Sequence, residues 1–424
     1  MIHHSWLIIL LFATMSIAAQ AQPSDSVFMR SLQEMGIHAT NDNSVVLLHT
    51  GQQKFDAMLS AIREARRYVY LEYFNFRNDS IGLALFQLLE EKAAEGVEVK
   101  AMFDSFGNES NDSPLRKKHL RAIRAAGVNV REFDPLRFPW LNHAYHRDHR
   151  KIVVIDGEVC FTGGMNVADY YIHGRPEYGA WRDMHMQLTG SAVQTYDSIF
   201  RQMWKSSFND TLFHNPLSVT PHSLPTIPHS SLLTDTTSTA GCKTIAVVNR
   251  IPRKQPKAMR KAYVAAIDAA DSLIQIVNPY PTNVKSVRRA LKRALRRGVK
   301  MEIMVSAKSD VPITPDVVAL EMRKLAKRGA HVYYNHDGFH HSKVMMVDGS
   351  FCTVGSTNLD ARSFLFDHEV NSFIFDHSTT KELQQIFEQD KQHCTIFQAQ
   401  DYRRNFNFGH RLTGHLFSLF RGFM

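Results

Sequence analysis

The chain has 424 residues, 44% of them hydrophobic and 21% charged, a balance that excludes an intrinsically disordered protein and a polytopic membrane protein. At roughly 100 to 200 residues per domain, the length points to two or three packed units, two being the simplest reading. Fifty Lys and Arg against 41 Asp and Glu leave a formal charge of +9, so polyanions, either phospholipid headgroups or nucleic acid, are the partners to expect. The four cysteines, Cys160, Cys242, Cys352 and Cys394, are too few for a disulfide framework and lack the C-x-x-C spacing of a metal site. Cys160 and Cys352 read as small buried residues.

The amino terminus is set apart from the rest. Trp6 to Ala19 is almost wholly apolar, and Ala19-Gln20-Ala21 has the small-x-small pattern of a signal-peptidase site, so residues 1–21 are predicted to be an export signal. That places the mature chain on the periplasmic side, peripheral to a membrane. Because no Lys or Arg precedes the apolar run, an uncleaved anchor stays open as the other reading.

From residue 45 to 208 the pattern predicts a first half-domain. Tyr68 to Phe74 reads as a buried strand, Ile81 to Glu95 as an amphipathic helix, and Gly96-Val97 opens a second strand ending near Asp104. Residues 209–242, rich in Ser, Thr and Pro, read as a surface linker. Residues 243–402 repeat the pattern with a strand over Leu273 to Pro279, a helix over Val284 to Arg297, and Gly298-Val299 before a strand reaching Ser306. Strand, helix, strand is a βαβ unit, so the predicted fold is α/β: two fused, pseudo-twofold-related α/β/α half-domains, each with a mostly parallel central sheet. Within the second helix Lys285, Arg288, Arg289, Lys292, Arg293 and Arg296 share a face, either a grip for an anionic surface or an ordinary solvated face. The tail, residues 403–424, mixes Arg403, Arg404, Arg411 and Arg421 with Phe406, Phe408, Leu412, Leu416, Phe417, Leu419 and Phe420. It reads either as a helix in a lipid interface or as one docked on the core.

The strongest signal is an internal repeat. His149-Arg-Lys-Ile-Val-Val-Ile-Asp156 and His341-Ser-Lys-Val-Met-Met-Val-Asp348 are each followed by Gly, a short apolar strand, and Gly163-Gly-Met-Asn166 or Gly355-Ser-Thr-Asn358. The offset is constant, since 341 − 149 and 358 − 166 both equal 192. In an extended segment residues two apart share a side, so His149 lies beside Lys151, and His341 beside Lys343. If the halves meet, one pocket holds two imidazoles and two ammonium groups, a cationic cradle for a phosphoryl group. One His can attack phosphorus while the other protonates the leaving alcohol, so a hard displacement is split into two easier ones with no metal or cofactor. The imidazoles need orienting carboxylates, and Asp183 and Glu369 lie at matching places, each opening an apolar run. Asp156 and Asp348 have two readings, a catalytic one and a turn residue in Asp-Gly.

These motifs resemble those of the phospholipase D superfamily, H-x-K-x4-D followed by G-[GS]-x-N, present here twice. Leu71-Glu-Tyr-Phe-Asn-Phe, Trp181-Arg-Asp, Asn278-Pro-Tyr-Pro, Asn358-Leu-Asp-Ala-Arg-Ser-Phe and His368-Glu-Val-Asn are most similar to segments of bacterial cardiolipin synthases. The resemblance spans most of residues 45 to 405. It implies that His149 and His341 are nucleophile and general acid or base, in an order that analogy tilts toward His149 as nucleophile. Lys151, Lys343, Asp156 and Asp348 join them in the catalytic set. Asn166, Asn358 and Ser356 are implied to bind phosphoryl oxygens, and Asp183 and Glu369 to hold the imidazoles. The implied activity is phosphatidyl transfer on an anionic phospholipid, phosphatidylglycerol above all, at a membrane surface. A hydrolytic phospholipase D, or an exported phosphodiesterase or nuclease, would share this machinery. So would a membrane-surface protein that kept the fold and lost the chemistry, which two intact motifs argue against.

Overall fold

The computed structural model describes residues 23–135, 145–213 and 241–419; the segment predicted to be an export signal, residues 136–144, most of the linker and the last five residues lie outside that range. Fifteen strands form one continuous sheet. At its centre strand Ala39–Leu48 pairs antiparallel with Lys243–Arg250. Outward on one side follow His185–Thr189, Val159–Gly163, Ile152–Ile155, Tyr68–Tyr73, Glu98–Asp104 and Asn129–Phe133. Outward on the other follow Glu369–Phe375, Phe351–Gly355, Val344–Val347, Leu273–Val277, Lys300–Ser306 and His331–Asn335, with Cys394–Phe397 added at the far edge. The two series are equivalent strand for strand, so a pseudo-twofold axis passes between the central pair.

Within this sheet parallel pairing is confined to the outer three equivalent strands of each half, the βαβ portion. The motif strands pair antiparallel, so the sheet is mixed where a mostly parallel one was expected. The reason is local: the tight turns at Asp156-Gly157 and Asp348-Gly349 send the chain straight back beside itself. Both Asp residues and both Gly residues take left-handed backbone, with φ of 54° and 72° in the first turn and 54° and 67° in the second, a conformation that favours these residue types.

Alternation along each strand builds the layers. Val69, Leu71 and Tyr73 pack under helices Gly51–Arg63 and Ser80–Ala94, whereas Tyr68 and Tyr70 point to the other face. There Ala192–Phe208 and His377–Lys391 cover a single apolar layer drawn from both halves. Asp79 caps Ser80–Ala94 by accepting from the Gly82 amide at 3.1 Å, and Gly298 ends Lys285–Arg297 in left-handed conformation. In that last helix Val287, Ala290, Leu291 and Ala294 are buried, while Arg293 pairs with Asp268 at 2.5 Å. The amino-terminal helix Ser24–Glu34 belongs to the opposite half from its own strand: Phe28 is fully buried against Phe351 and Phe373, at 4.9 and 5.1 Å between rings. Ordered structure thus begins before residue 45. Among the described residues no helix is long and apolar enough to cross a membrane.

Candidate active site

The site forms at the pseudo-twofold axis, beyond the carboxyl ends of the parallel strands, where open α/β sheets place their ligands. Regular strand structure begins at Ile152 and Val344, so each His and Lys stands at a strand entrance, in extended chain. The segments that carry them cross to the other half. The His149 amide donates to the His368 carbonyl at 3.1 Å and the His368 amide to Arg147 at 2.8 Å. Reciprocally, Gly338–His340 pairs with Ala180–Arg182 and the His341 amide donates to the Arg182 carbonyl at 2.7 Å.

This exchange determines which carboxylate serves which imidazole. His149 Nδ1 lies 3.0 Å from Glu369 Oε1, and His341 Nδ1 lies 2.6 Å from Asp183 Oδ2, so each half orients the other half's histidine. Lys343 Nζ also lies 2.8 Å from His341 Nδ1, so in both rings Nδ1 is engaged and Nε2 is the nitrogen left for chemistry. Sheet register puts Asp183 and Glu369 in equivalent places, two residues before His185 and Asn371, which face Gly163 and Gly355.

The two carboxylates are nevertheless differently built. A Cβ on Gly164 would stand 2.1 Å from Asp183 Oδ1, so glycine is required there. Its counterpart Ser356 donates its hydroxyl to Glu369 Oε2, and Ser363 donates to Oε1 at 2.5 Å. The expectation that Ser356 binds phosphate is therefore corrected: its hydroxyl is engaged with the carboxylate. Ser363, which sequence reasoning missed, lies on the π-helical turn Arg362–Phe366, a deformation common at functional sites.

Asp156 and Asp348 also move out of the reacting set. They sit at the far end of the motif strands, where Asp156 accepts from the amides of Arg66, Arg67 and Tyr68, each at 2.8 Å. Asp348 does the same for Asp271, Ser272 and Leu273 at 2.7 to 2.8 Å. Both fasten the motif hairpin to the start of the neighbouring strand.

Both imidazoles and both motif asparagines line one cleft of about 550 Å³. The Oδ1 atoms of Asn166 and Asn358 are buried and unpartnered, which leaves these side chains available to a ligand. Lys151 and Lys343 are fully buried and donate to the carbonyls of their own histidines. Aromatic rings wall the cleft: Phe74 lies 5.3 Å from the His149 ring, and Trp181 and Tyr280 lie 5.9 and 6.1 Å from that of His341. Asp360, Arg362 and Asp367 complete the wall on the second-half side. The sequence repeat marks that asymmetry, because Arg362 stands where the first half has Tyr170.

Burial dominates the electrostatics. It lowers the His149 pKa well below its usual value, and Lys151, Lys343 and His341 push the same way. His341 is lowered by burial and Lys343, against which Asp183 acts to raise it. Burial alone would raise Asp183, yet Lys343 and His341 outweigh it and hold its carboxyl below the ordinary range. Glu369 goes the other way, raised by burial to about 7 despite Lys151 and its serine donors. The ammonium groups are depressed by burial, Lys151 to about 7 and Lys343 to about 8. The site is therefore poised to exchange protons near neutrality.

Two carboxylate-held imidazoles facing one cationic, asparagine-lined cleft define a phosphoryl-transfer site shared between duplicated halves. Comparison with known proteins agrees. The family model described as "Cardiolipin synthase, PLD-like domain" matches residues 58–204 and 263–391. The probable cardiolipin synthase YwiE of Bacillus subtilis strain 168 is 32% identical over 366 residues, 86% of this chain and 69% of that protein. The major cardiolipin synthase ClsA of the same strain is 32% identical over 379 residues, 89% of this chain and 75% of that one. Among solved structures, phosphatidylserine synthase of Haemophilus influenzae Rd KW20 shares the fold, with a TM-score of 0.70 at 14% identity over 94% of this chain and all of that one. The chain belongs to the cardiolipin synthase family of phospholipase D-like enzymes.

Proposed function

We propose that this protein transfers phosphatidyl groups between alcohols at a membrane face, forming cardiolipin from phosphatidylglycerol through a phosphohistidine. The observation that carries the reading is the crossed pairing of His149 with Glu369 and His341 with Asp183 around one cleft. His149 is the nucleophile: its Nε2 lone pair attacks phosphorus, and Nδ1–H donates to Glu369 as positive charge develops on the ring. The phosphorus–oxygen bond to glycerol breaks as Nε2–H of protonated His341 passes its proton to the leaving oxygen. His341 holds that proton better than His149 would, because its carboxylate partner is ionised. In the second step neutral His341 takes the proton of an acceptor hydroxyl, whose oxygen attacks phosphorus while the phosphorus–nitrogen bond breaks. Lys151, Lys343, Asn166 and Asn358 bind the equatorial oxygens throughout.

With phosphatidylglycerol as both donor and acceptor, the products are cardiolipin and glycerol; with water as acceptor, the product is phosphatidate. Export to the periplasmic side, with the active cleft at the outer membrane-facing surface, is part of the same reading and rests on the segment Trp6 to Ala19. A second reading, a phosphodiesterase acting on nucleic acid, draws on the net charge of +9. Purified protein mixed with phosphatidylglycerol vesicles is expected to yield cardiolipin and glycerol by mass spectrometry, and His341→Ala to abolish the yield. Absence of any lipid product overturns the proposal, and cleavage of DNA in the presence of chelator would establish the second reading in its place.

A further inference from the structure

Helix Phe408–Leu419 docks on the second half by one face only. His410 Nδ1 lies 2.9 Å from Asp316 Oδ1, and a Cβ on Gly414 would stand 2.6 Å from the Asp316 carbonyl, so glycine lets the helix lie close against Thr314–Ala326. The opposite face is bare and apolar. Phe408, Leu412, Leu416 and Leu419 fall at a helical repeat and are 73, 56, 51 and 77% exposed. Soluble proteins rarely leave such a contiguous stripe in water without a partner for it.

Two further observations say what that partner is. Beside the stripe lies a shallow groove of about 510 Å³, where Arg323, Arg403, Arg411 and His415 meet Phe408 and Leu412. The Arg323 Nε is buried there without a hydrogen-bond partner, and its guanidinium lies over the Tyr402 ring. Guanidinium groups alongside bare leucines match an anionic headgroup above an acyl chain. The helix is also anchored close to the cleft in the chain. Its anchor, Asp316, is two residues past Thr314, which lines the cleft wall, and the same rim exposes Val311 and Ile313.

We propose that helix Phe408–Leu419 and the rim at Val311 and Ile313 form one docking surface that seats the protein on an anionic phospholipid monolayer, with the cleft mouth turned to the lipid. The leucine stripe enters the interface, the arginine groove takes a phosphate headgroup, and a substrate phosphodiester reaches the imidazoles without leaving the membrane plane. Only the facing of the cleft rests on the lipid-substrate reading; the docking itself rests on the surface.

The test is amide hydrogen exchange on the full chain, with vesicles of phosphatidylglycerol and phosphatidylcholine or of phosphatidylcholine alone. Exchange across residues 408–419 and 309–313 is expected to slow about tenfold with the anionic vesicles, and by much less with neutral ones. A Leu412→Asp, Leu416→Asp double variant is expected to lose that protection and about tenfold of its turnover on vesicles, yet to keep detergent-dispersed phosphatidylglycerol turnover within about twofold. Unaltered exchange in both segments overturns the proposal. So does protection that appears without lipid and tracks dimer formation in sedimentation, which would assign the stripe to a second copy of the chain. If no lipid is turned over in detergent while vesicles still protect the helix, the catalytic reading fails and the docking surface stands.

Discussion

Asp183→Asn tests the crossed carboxylates with almost no change of shape. The Met184 amide donates to Asp183 Oδ1 at 2.7 Å, so the asparagine carbonyl must keep that place. Its amide nitrogen then occupies the position of Oδ2, 2.6 Å from His341 Nδ1. Facing a donor, Nδ1 has to accept, and the ring proton moves to Nε2, where it blocks the lone pair that takes the acceptor's proton. Lys343 lies 3.9 Å from Asp183 and loses an attraction of about 4 kcal/mol at an effective dielectric near 20. Its pKa, already down at about 8, falls further, and the phosphate cradle loses a charge at neutral pH. A reversed tautomer of this kind costs about 10³- to 10⁴-fold in kcat, or about 4 to 5 kcal/mol of barrier. Because His341 needs Nδ1–H both as the acid of the first step and as the base of the second, steady-state turnover should collapse, and any label trapped from a radioactive donor should sit as acid-labile phosphohistidine on residue 149. Turnover above about a third of the unmodified enzyme's would refute the tautomer argument; label found on residue 341 would refute the assignment of roles.

Two further outcomes follow from the same geometry. The Lys151 and Lys343 pKa values, about 7 and about 8, mean that both are charged below those values and neutral above. KM for an anionic phosphodiester should therefore climb as pH rises past about 8, as one coupled transition and not two separate ones. The Glu369 carboxyl, at about 7, ionises over the neighbouring range, so kcat should fall as pH drops below about 7; an initial-rate profile with constant KM between pH 7 and 9.5 would contradict the cation assignment. Asp156→Ala leaves three backbone amides without their acceptor, a loss of about 2 to 4 kcal/mol. Calorimetry should register a Tm lower by about 3 to 5 °C, with activity per folded molecule retained within about threefold at low temperature. A loss of a thousandfold in activity without a change in Tm would return Asp156 to the reacting set.

What the sequence by itself determined is local or repeated. The two H-x-K motifs, the Gly-rich tails at an offset of 192, the βαβ order of each half and the hairpin at each Asp-Gly all rest on residues close in the chain. Periodicity and turn chemistry act over a few residues, so those elements are legible in the order of the amino acids alone. The candidate imidazoles and both orienting carboxylates were legible for the same reason, as matched positions in a duplicated pattern. Only the tertiary structure decided that Glu369 serves His149, 220 residues away, and that Asp183 serves His341, 158 residues away. The crossing depends on strand segments exchanged at a pseudo-twofold axis, which no spacing in the chain records. Ser356 was misassigned, and the two readings of Asp156 stayed open, because a motif shows which side chains cluster and not which acceptor or donor each one meets. Their roles follow from where hydroxyl and carboxylate find partners once the sheet has closed, and the bare stripe on Phe408–Leu419 exists only because its other face is covered.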